Sequence, residues 1–516
     1  MKRRDFIKVG SILTIPVFFN GLGLKVFANK PVPSINEYND KILVLIQMGG
    51  GNDTLNTVIP LDQYSNLSKV RSNIMIPESK VIKINDVTGF HPVMEGLRNV
   101  MDDGKLNIVR AVGYPNQNRS HFRSTDIWMS GSAADVQKTS GWLGSYFNVD
   151  HPDYPGGYPN SDINYPFAIT MGSSPSSTCQ GDLGNYSIAV SDANQAGELF
   201  EGEWDFVPNN CFGDQLSFVR ETIRQSNAYS DIVSEAYNKG NNLSTKYPVD
   251  NKLADDLKDV ARLISGGLKT KVYVVRLGGF DTHSGQVDTT DVIKGKHSDL
   301  LKTLSDAIEA FQDDLRLLDK EDRVIGMTFS EFGRRIKSNA SLGTDHGSAV
   351  DMFVFGKCIN SGFIGKNPTI SDNVGKKEAV AMQTDFRNVY GSLLIDWFEA
   401  TEEEVKSFLH QDFKKLPIVS SCSSSSNKDI LKDDFAVTVS PNPVIQTTNL
   451  SFMGNGEWIK ISLVNELGEE VMLIKNIKFA NGRHDLPIDM SSLKPGVYFM
   501  RLKSKTSQTT KKIIKV

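Results

Sequence analysis

The stretch KILVLIQMGGGND, residues 41–53, constrains the fold most: a near-continuous apolar run ends in three glycines and a polar pair. A strand apolar on both faces belongs inside a mostly parallel sheet with helices on either side. The pattern recurs downstream. HPVMEGLRNVMDDGK places apolar residues at 93, 94, 97, 100 and 101, a helical period, with Gly104 as a stop signal. LNIVRAVGY is the next strand, KTLSDAIEAFQDDLRLLDK an amphipathic helix, RVIGMTFSEFG a strand, and RNVYGSLLIDWFEA the last strong helix. Strands alternating with helices predict an α/β domain over residues 40–415, a three-layer αβα sandwich around a mostly parallel sheet. Residues 150–215 are rich in Gly, Pro, Asn and Ser. They are expected to be an insertion of long loops near the site mouth, or a cap.

The N-terminus is a targeting segment. Residues 1–28 have a basic start, an apolar run from Val9 and a Val-Phe-Ala ending at Ala28 that suits signal peptidase. Arg3 and Arg4, followed by Asp5, Phe6 and Lys8, resemble a twin-arginine signal, with an ordinary Sec signal or an uncleaved anchor as the alternative. No later apolar run is long enough to span a bilayer. The formal net charge of −4 offers no electrostatic case for nucleic acid. Four cysteines, Cys179, Cys211, Cys358 and Cys422, have no zinc-motif spacing. Cys179 and Cys211 are candidates either for a disulfide in an oxidising compartment or for buried free thiols.

A serine-rich linker over residues 416–432 contains SSCSSSSNKD. After it, residues 433–516 show short strands separated by turn signals, which predicts a small all-β sandwich. SPNP, LVNELGEEV, LPIDMSSLKPGVYFMRL and the terminal KKIIKV resemble the C-terminal sorting domain of the type IX secretion system. That resemblance implies export and type IX machinery as partners, a periplasmic intermediate, cleavage of the tail, and a final place at the cell surface or outside the cell.

Ligands of open parallel sheets bind beyond the carboxyl ends of the strands. The polar residues at those ends are Asn52 and Asp53; Asn118, Arg119, Ser120 and His121; Asp281 and His283; Ser330 and Glu331, with Arg334 and Arg335; and, in the loop GTDHGSA, Asp345 and His346. Carboxylates with imidazoles suit zinc, manganese or iron, whereas calcium calls for fewer histidines. Each residue also has a plainer role: Asp53 as a helix cap, Asp281 as a turn residue, Glu331 paired with Arg334 or Arg335. Ser120 opens a helix, where free backbone N–H groups suit an anionic phosphate or sulfate. Arg119 and Arg123 are candidates either to clamp such an anion or to be plain surface charges.

LIQMGGGNDTLNTVIP, FHPVMEGL, VRAVGYPNQNRSHFRSTDIW, LGGFDTHSGQ, TFSEFGRRIKSN and GTDHGSA resemble the DUF1501 family of exported bacterial proteins. The resemblance implies an alkaline phosphatase-like fold, related to phosphatases and sulfatases, and one or two divalent metals, zinc or manganese before calcium. By order along the chain it implies Asp53, Asp281, His283, Glu331 and His346 as metal residues and Ser120 as nucleophile. Position 332 is Phe where the relatives carry an imidazole, and 331 is Glu rather than Asp. His121 is a candidate replacement for that imidazole and, with Arg119, for a catalytic role; alternatively TDHG is itself the Asp-His pair, which adds Asp345 to the ligands. The expected function is a metal-dependent hydrolase of phosphate or sulfate esters, on a small-molecule or polysaccharide substrate. The alternative is a non-catalytic cell-surface binding protein on the same fold.

Overall fold

The computed structural model describes residues 39–193, 227–420, 435, 437–454, 456–465, 470–504 and 508–516. The twin-arginine motif and most of the serine linker lie outside them. The chain divides into two units, residues 1–422 and 423–516.

The strands of the first unit's large sheet and its adjoining hairpin are, in chain order, β1 (Ile42–Gly49), β2 (Leu106–Gly113), β3 (Ala168–Met171), β4 (Ser187–Val190), β5 (Val272–Gly278), β6 (Val324–Phe329), β7 (Arg334–Ser338), β8 (Thr344–His346), β9 (Val350–Phe355), β10 (Gly362–Ile364) and β11 (Thr384–Asp385). Nine of them form one sheet in the order β10-β2-β9-β6-β1-β5-β3-β4, with β11 also beside β2. β9 is antiparallel to both of its neighbours, and every other pair is parallel. β7 and β8 form a separate antiparallel hairpin.

β1 is central because both its faces are apolar. Ile42, Val44, Ile46 and Met48 pack into one core with Leu97, Leu257, Leu304 and Phe311. These come from helices over residues 95–102, 252–265 and 296–317. Leu43 and Leu45 point the other way, into a core with Trp128, Trp142 and Leu393. The helices there are α1 (His121–Ser130), α2 (Trp142–Asp150) and α3 (Phe386–Asp396). Two cores on opposite sides of one sheet make the expected three-layer sandwich. Each fully buried aliphatic side chain contributes about 1.5–3 kcal/mol.

The expectation of loops or a cap over residues 150–215 needs correction. β3 and β4 fall in that stretch and extend the sheet beyond β5. Each is only four residues long, too short to show a strand pattern in sequence. Residues 194–226 of the same stretch lie outside the described residues. Of the two alternatives for Cys179, the structure has the buried free thiol, and burial raises its pKa. Cys358 is disulfide-bonded.

In the second unit, strands 438–440, 447–454 and 482–489 form one antiparallel sheet, and 458–464, 470–478, 496–503 and 508–515 another. Phe452, Ile459, Ile461, Ile488, Met500 and Leu502 share its core.

A candidate metal centre at the strand ends

Three loops meet beyond β1, β5 and β6, and one buried cation joins them. The Arg334 guanidinium is fully buried. Its Nε donates to the Gly51 carbonyl at 2.7 Å, Nη1 to Thr344 O at 3.0 Å and Nη2 to Phe280 O at 2.9 Å, with a further bond to Gly50 O. Nη2 also reaches Asp281 Oδ1 at 2.8 Å. The loops approach closely enough to require glycine. A Cβ on Gly50, at φ +120°, would meet Asp281 N at 2.3 Å, and one on Gly343 would meet the His283 carbonyl carbon at 2.4 Å.

Around Asp281 stand three histidines, each held from behind through Nδ1. His121 Nδ1 lies 2.8 Å from Glu331 Oε1, which also accepts the Gly50 N–H at 2.8 Å. His283 Nδ1 lies 3.2 Å from Asp345 Oδ1. His346 Nδ1 lies 2.8 Å from the Arg119 carbonyl. A carbonyl only accepts, so His346 Nδ1 carries the hydrogen and a neutral ring leaves Nε2 with its lone pair. The carboxylates favour the same tautomer on the other two rings.

The three Nε2 atoms turn toward Asp281. His283 Nε2 and His346 Nε2 are 2.9 Å apart, and each is 3.3 Å from Asp281 Oδ1. His121 Nε2 is 3.5 Å from Asp281 Oδ2, buried and without a hydrogen-bond partner. His121, Asp281 and His346 each offer one atom within 4.8 Å of the others. Lone pairs that face one another call for a cation or a shared proton. Ligands bound to one zinc ion at about 2.1 Å lie roughly 3 to 3.5 Å apart, close to the distances from Asp281 to each Nε2, although His283 falls outside the mutually close group of three. The donor set therefore fits a divalent transition metal.

The electrostatics agree. Burial pushes the Asp281 carboxyl up, but the Arg334 hydrogen bond and charge outweigh it and hold the group below the usual carboxylate range. Asp345 is lowered likewise: burial opposes, and Asn339, His283 and Arg335 prevail. Burial, with Arg334 and His121, lowers His346, although the Arg119 carbonyl and Asp281 oppose this. Beneath the rings lies Phe332, with centroids 4.9 Å from His121 and 4.7 Å from His346. The residue that occupies the expected imidazole position is thus the apolar floor of the cluster.

The expected site residues separate by position. Asp281, His283 and His346 converge. His121, expected as a catalytic residue or a replacement imidazole, joins them as a possible ligand. Glu331 and Asp345 stand behind histidines rather than facing the centre. Glu331 makes no pair with Arg334; its neighbour is His121. Asp53 departs from its expected place: Arg71 Nη1 holds both its oxygens, at 3.1 and 3.0 Å, and Gln286 Nε2 donates to Oδ2 at 2.7 Å. Nor does its side chain cap the short helix that follows. The physical reason is a buried guanidinium that sequence could not place: Arg71 ends a helix over residues 64–71 and is fully buried.

Ser120 is the N-cap of the ten-residue helix α1, and its side chain makes no capping bond. Its peptide is fixed by Asn118 Oδ1, which accepts the Ser120 N–H at 2.8 Å, while Tyr114 Oη accepts the Asn118 N–H at 3.1 Å. Ser120 lies between Arg119, whose carbonyl holds His346, and His121. The Arg119 guanidinium donates to Lys377 O at 3.0 Å and Ser348 Oγ at 3.1 Å. Arg123 pairs with Asp126 on the same helix. Sequence reasoning missed Arg71 and Gln286, and also His91 and His297, two buried histidines behind the β1 mouth. The only available signal was that Gln286 and His91 lie inside the quoted motifs.

Residues 261–414 match the family described as a protein of unknown function, DUF1501, and residues 438–516 match the secretion system C-terminal sorting domain. No curated protein matches the chain. Among solved structures, it resembles a protein in the alkaline phosphatase superfamily from Vibrio parahaemolyticus, at 11% identity and a TM-score of 0.31, over 93% of this chain and 92% of that one. A phosphonate monoester hydrolase from Silicibacter pomeroyi shares 8% identity at a TM-score of 0.32, over 92% and 89%. Alkaline phosphatase from the Antarctic bacterium TAB5 shares 10% identity at 0.25, over 61% and 92%. At these scores the likenesses assign no residue and no reaction.

Proposed function

From the match of residues 261–414 to the DUF1501 family and of the chain's end to a type IX sorting domain, which marks it for the cell surface or beyond, we propose an exported, metal-dependent hydrolase of phosphate or sulfate esters. Among the described residues no helix is long and apolar enough to cross a membrane. One observation carries the reading: His121 and His346 turn Nε2 toward Asp281, with His283 Nε2 3.3 Å from the same carboxylate, and Ser120, the residue before His121, opens its helix without a capping bond.

His121, His283, His346 and Asp281 would hold the metal, zinc or manganese before calcium. A bound ion supplies Lewis acidity and lowers the pKa of a hydroxyl on it. The chain's own residues do the rest. Glu331, Asp345 and the Arg119 carbonyl fix the imidazole tautomers. Phe332 closes the floor against water. The helix α1 N-terminus attracts the ester's anionic oxygens. Ser120 is the nucleophile: its bond to phosphorus or sulfur forms as the ester bond breaks, its proton passes to water, and the departing alkoxide is reprotonated from water. Water then releases the phosphate or sulfate and restores the serine. Ser120→Ala is expected to abolish turnover in an ester screen while retaining the metal. Turnover that survives in that variant contradicts the role.

A second reading has its own observation. Asp53, expected as a ligand, is neutralised by Arg71, and Phe332 fills the place of an imidazole. Both suit a metal-holding surface protein without hydrolytic activity, whose wild type would keep its metal and cleave no ester.

A further inference from the structure

Beside the cluster, cations gather in a chain whose formal net charge is −4. The Arg119 guanidinium contacts only neutral acceptors, the Lys377 carbonyl and Ser348 Oγ. Arg335 sits in β7 next to the buried Arg334; its Nη1 reaches Asp345 Oδ2 at 2.9 Å, while its Nε is buried and without a hydrogen-bond partner. Lys337 follows two residues on in β7 and is partly exposed, as Arg335 is. A bridge from Arg335 to Ala379, with the Ile336 N–H donating to Glu378 O at 3.1 Å, lays the segment after the exposed turn Lys376–Lys377 along β7. Among the described residues, Arg119, Lys337, Lys376 and Lys377 form no ion pair. The nearby carboxylates are already engaged: Asp345 with Arg335 and His283, and Glu378 with the Gly375 N–H at 2.7 Å. The cations without an ion pair, Arg119, Lys337, Lys376 and Lys377, favour an anion beside them.

We propose that this rim of Arg119, Arg335, Lys337, Lys376 and Lys377 binds a second anionic group on the substrate, so that the protein selects multiply sulfated or phosphorylated molecules over simple monoesters. The inference rests on the hydrolase reading for what happens at the cluster, and the rim's binding is measurable without it. Arg119 joins the two places, since its carbonyl holds His346 while its guanidinium faces the rim. A substrate with adjacent anionic groups would lie with one on Ser120 and the next on the rim, and electrostatic steering would favour it over a singly charged ester.

The test is calorimetric binding to the purified exported protein. The probes are a heparin-derived hexasaccharide, inositol hexakisphosphate and a neutral chitin hexasaccharide. The proteins are wild type, the Lys337→Gln/Lys377→Gln double variant and His346→Ala. The expected result is binding of at least one polyanion and none of the neutral sugar. The double variant should bind about tenfold more weakly and with a shallower salt dependence, as expected for two lost surface charges. His346→Ala should keep the affinity, so loss of metal or of turnover leaves the rim's result standing. The stronger of the two polyanions names sulfate or phosphate as the recognised group. Equal affinity in wild type and the double variant, or no preference over the neutral sugar, overturns the proposal.

Discussion

Asp53 and Asp281 follow the neighbouring strands β1 and β5, which pair Gly49 with Gly278, and each comes after glycines. Their fates diverge. Asp53 is 1% exposed, with both oxygens on one Arg71 nitrogen and a third bond from Gln286. Asp281 is 48% exposed; Arg334 takes only Oδ1, and Oδ2 faces His121. One carboxylate closes a buried ion pair and has nothing left to give. The other keeps a free side among three imidazoles. The same local sequence thus closes a buried ion pair at one strand end and leaves a half-exposed carboxylate among imidazoles at the next. What differs is which side chains distant stretches of chain bring to each.

The comparison breaks first at Arg71. Arg71→Ala leaves Asp53 buried and unpaired, and is expected to cost about 3–5 kcal/mol in urea unfolding. Asp281→Asn keeps an acceptor for Arg334 and its carbonyl partners remain, so it should cost less, about 1.5–3 kcal/mol. Equal costs would erase the distinction.

Acid separates the two places next. Burial holds His91 down to about 3, with His297 adding to the effect. Burial holds His297 down to about 4, with Arg334 and Arg71 adding and Asp53 opposing. Both lie below the ordinary value of 6.5, so below that pH the unfolded chain takes up protons that the native fold refuses. Stability is therefore full above about pH 6.5 and falls toward pH 4, by about 2 kcal/mol for each group at pH 5. Urea midpoints at pH 7 and pH 5 check this, and His91→Gln should remove about half of the drop. Metal should leave over the same range, because imidazoles bind it only when neutral.

The smallest effect is the most diagnostic. Glu331→Gln keeps a partner for His121 but loses the carboxylate behind it. Metal affinity should fall about 10- to 100-fold with the fold intact, the usual size of an outer-shell effect. A metal titration against a competing chelator reads it.

Local pattern made β1, β5 and β6 legible, because a strand apolar on both faces announces a covered sheet. It also pointed to Asp281, His283 and His346, since polar residues after such strands converge on one edge. It did not separate Arg334 from Arg335. The two alternate across the start of β7, and only the fold decides that the first is buried beneath three loops. His121 was legible as a site residue, but its role depends on where helix α1 docks. Arg71 carried no signal at all, since it sits in the polar stretch SNLSKVRSN and its burial arises from contacts with Asp53 and with the Ile336 and Arg335 carbonyls. β9 pairs antiparallel between β2 and β6, a placement no local period encodes.

The most direct test of the account is the metal content of the purified exported protein, measured with His346→Ala and Asp53→Asn beside it and circular dichroism confirming each fold. The account predicts about one transition-metal ion per chain in the wild type. It predicts loss of that ion in His346→Ala and retention in Asp53→Asn. A well-folded wild type without metal, or a folded Asp53→Asn that loses it, would contradict the assignment of Asp281 and the three histidines as the centre.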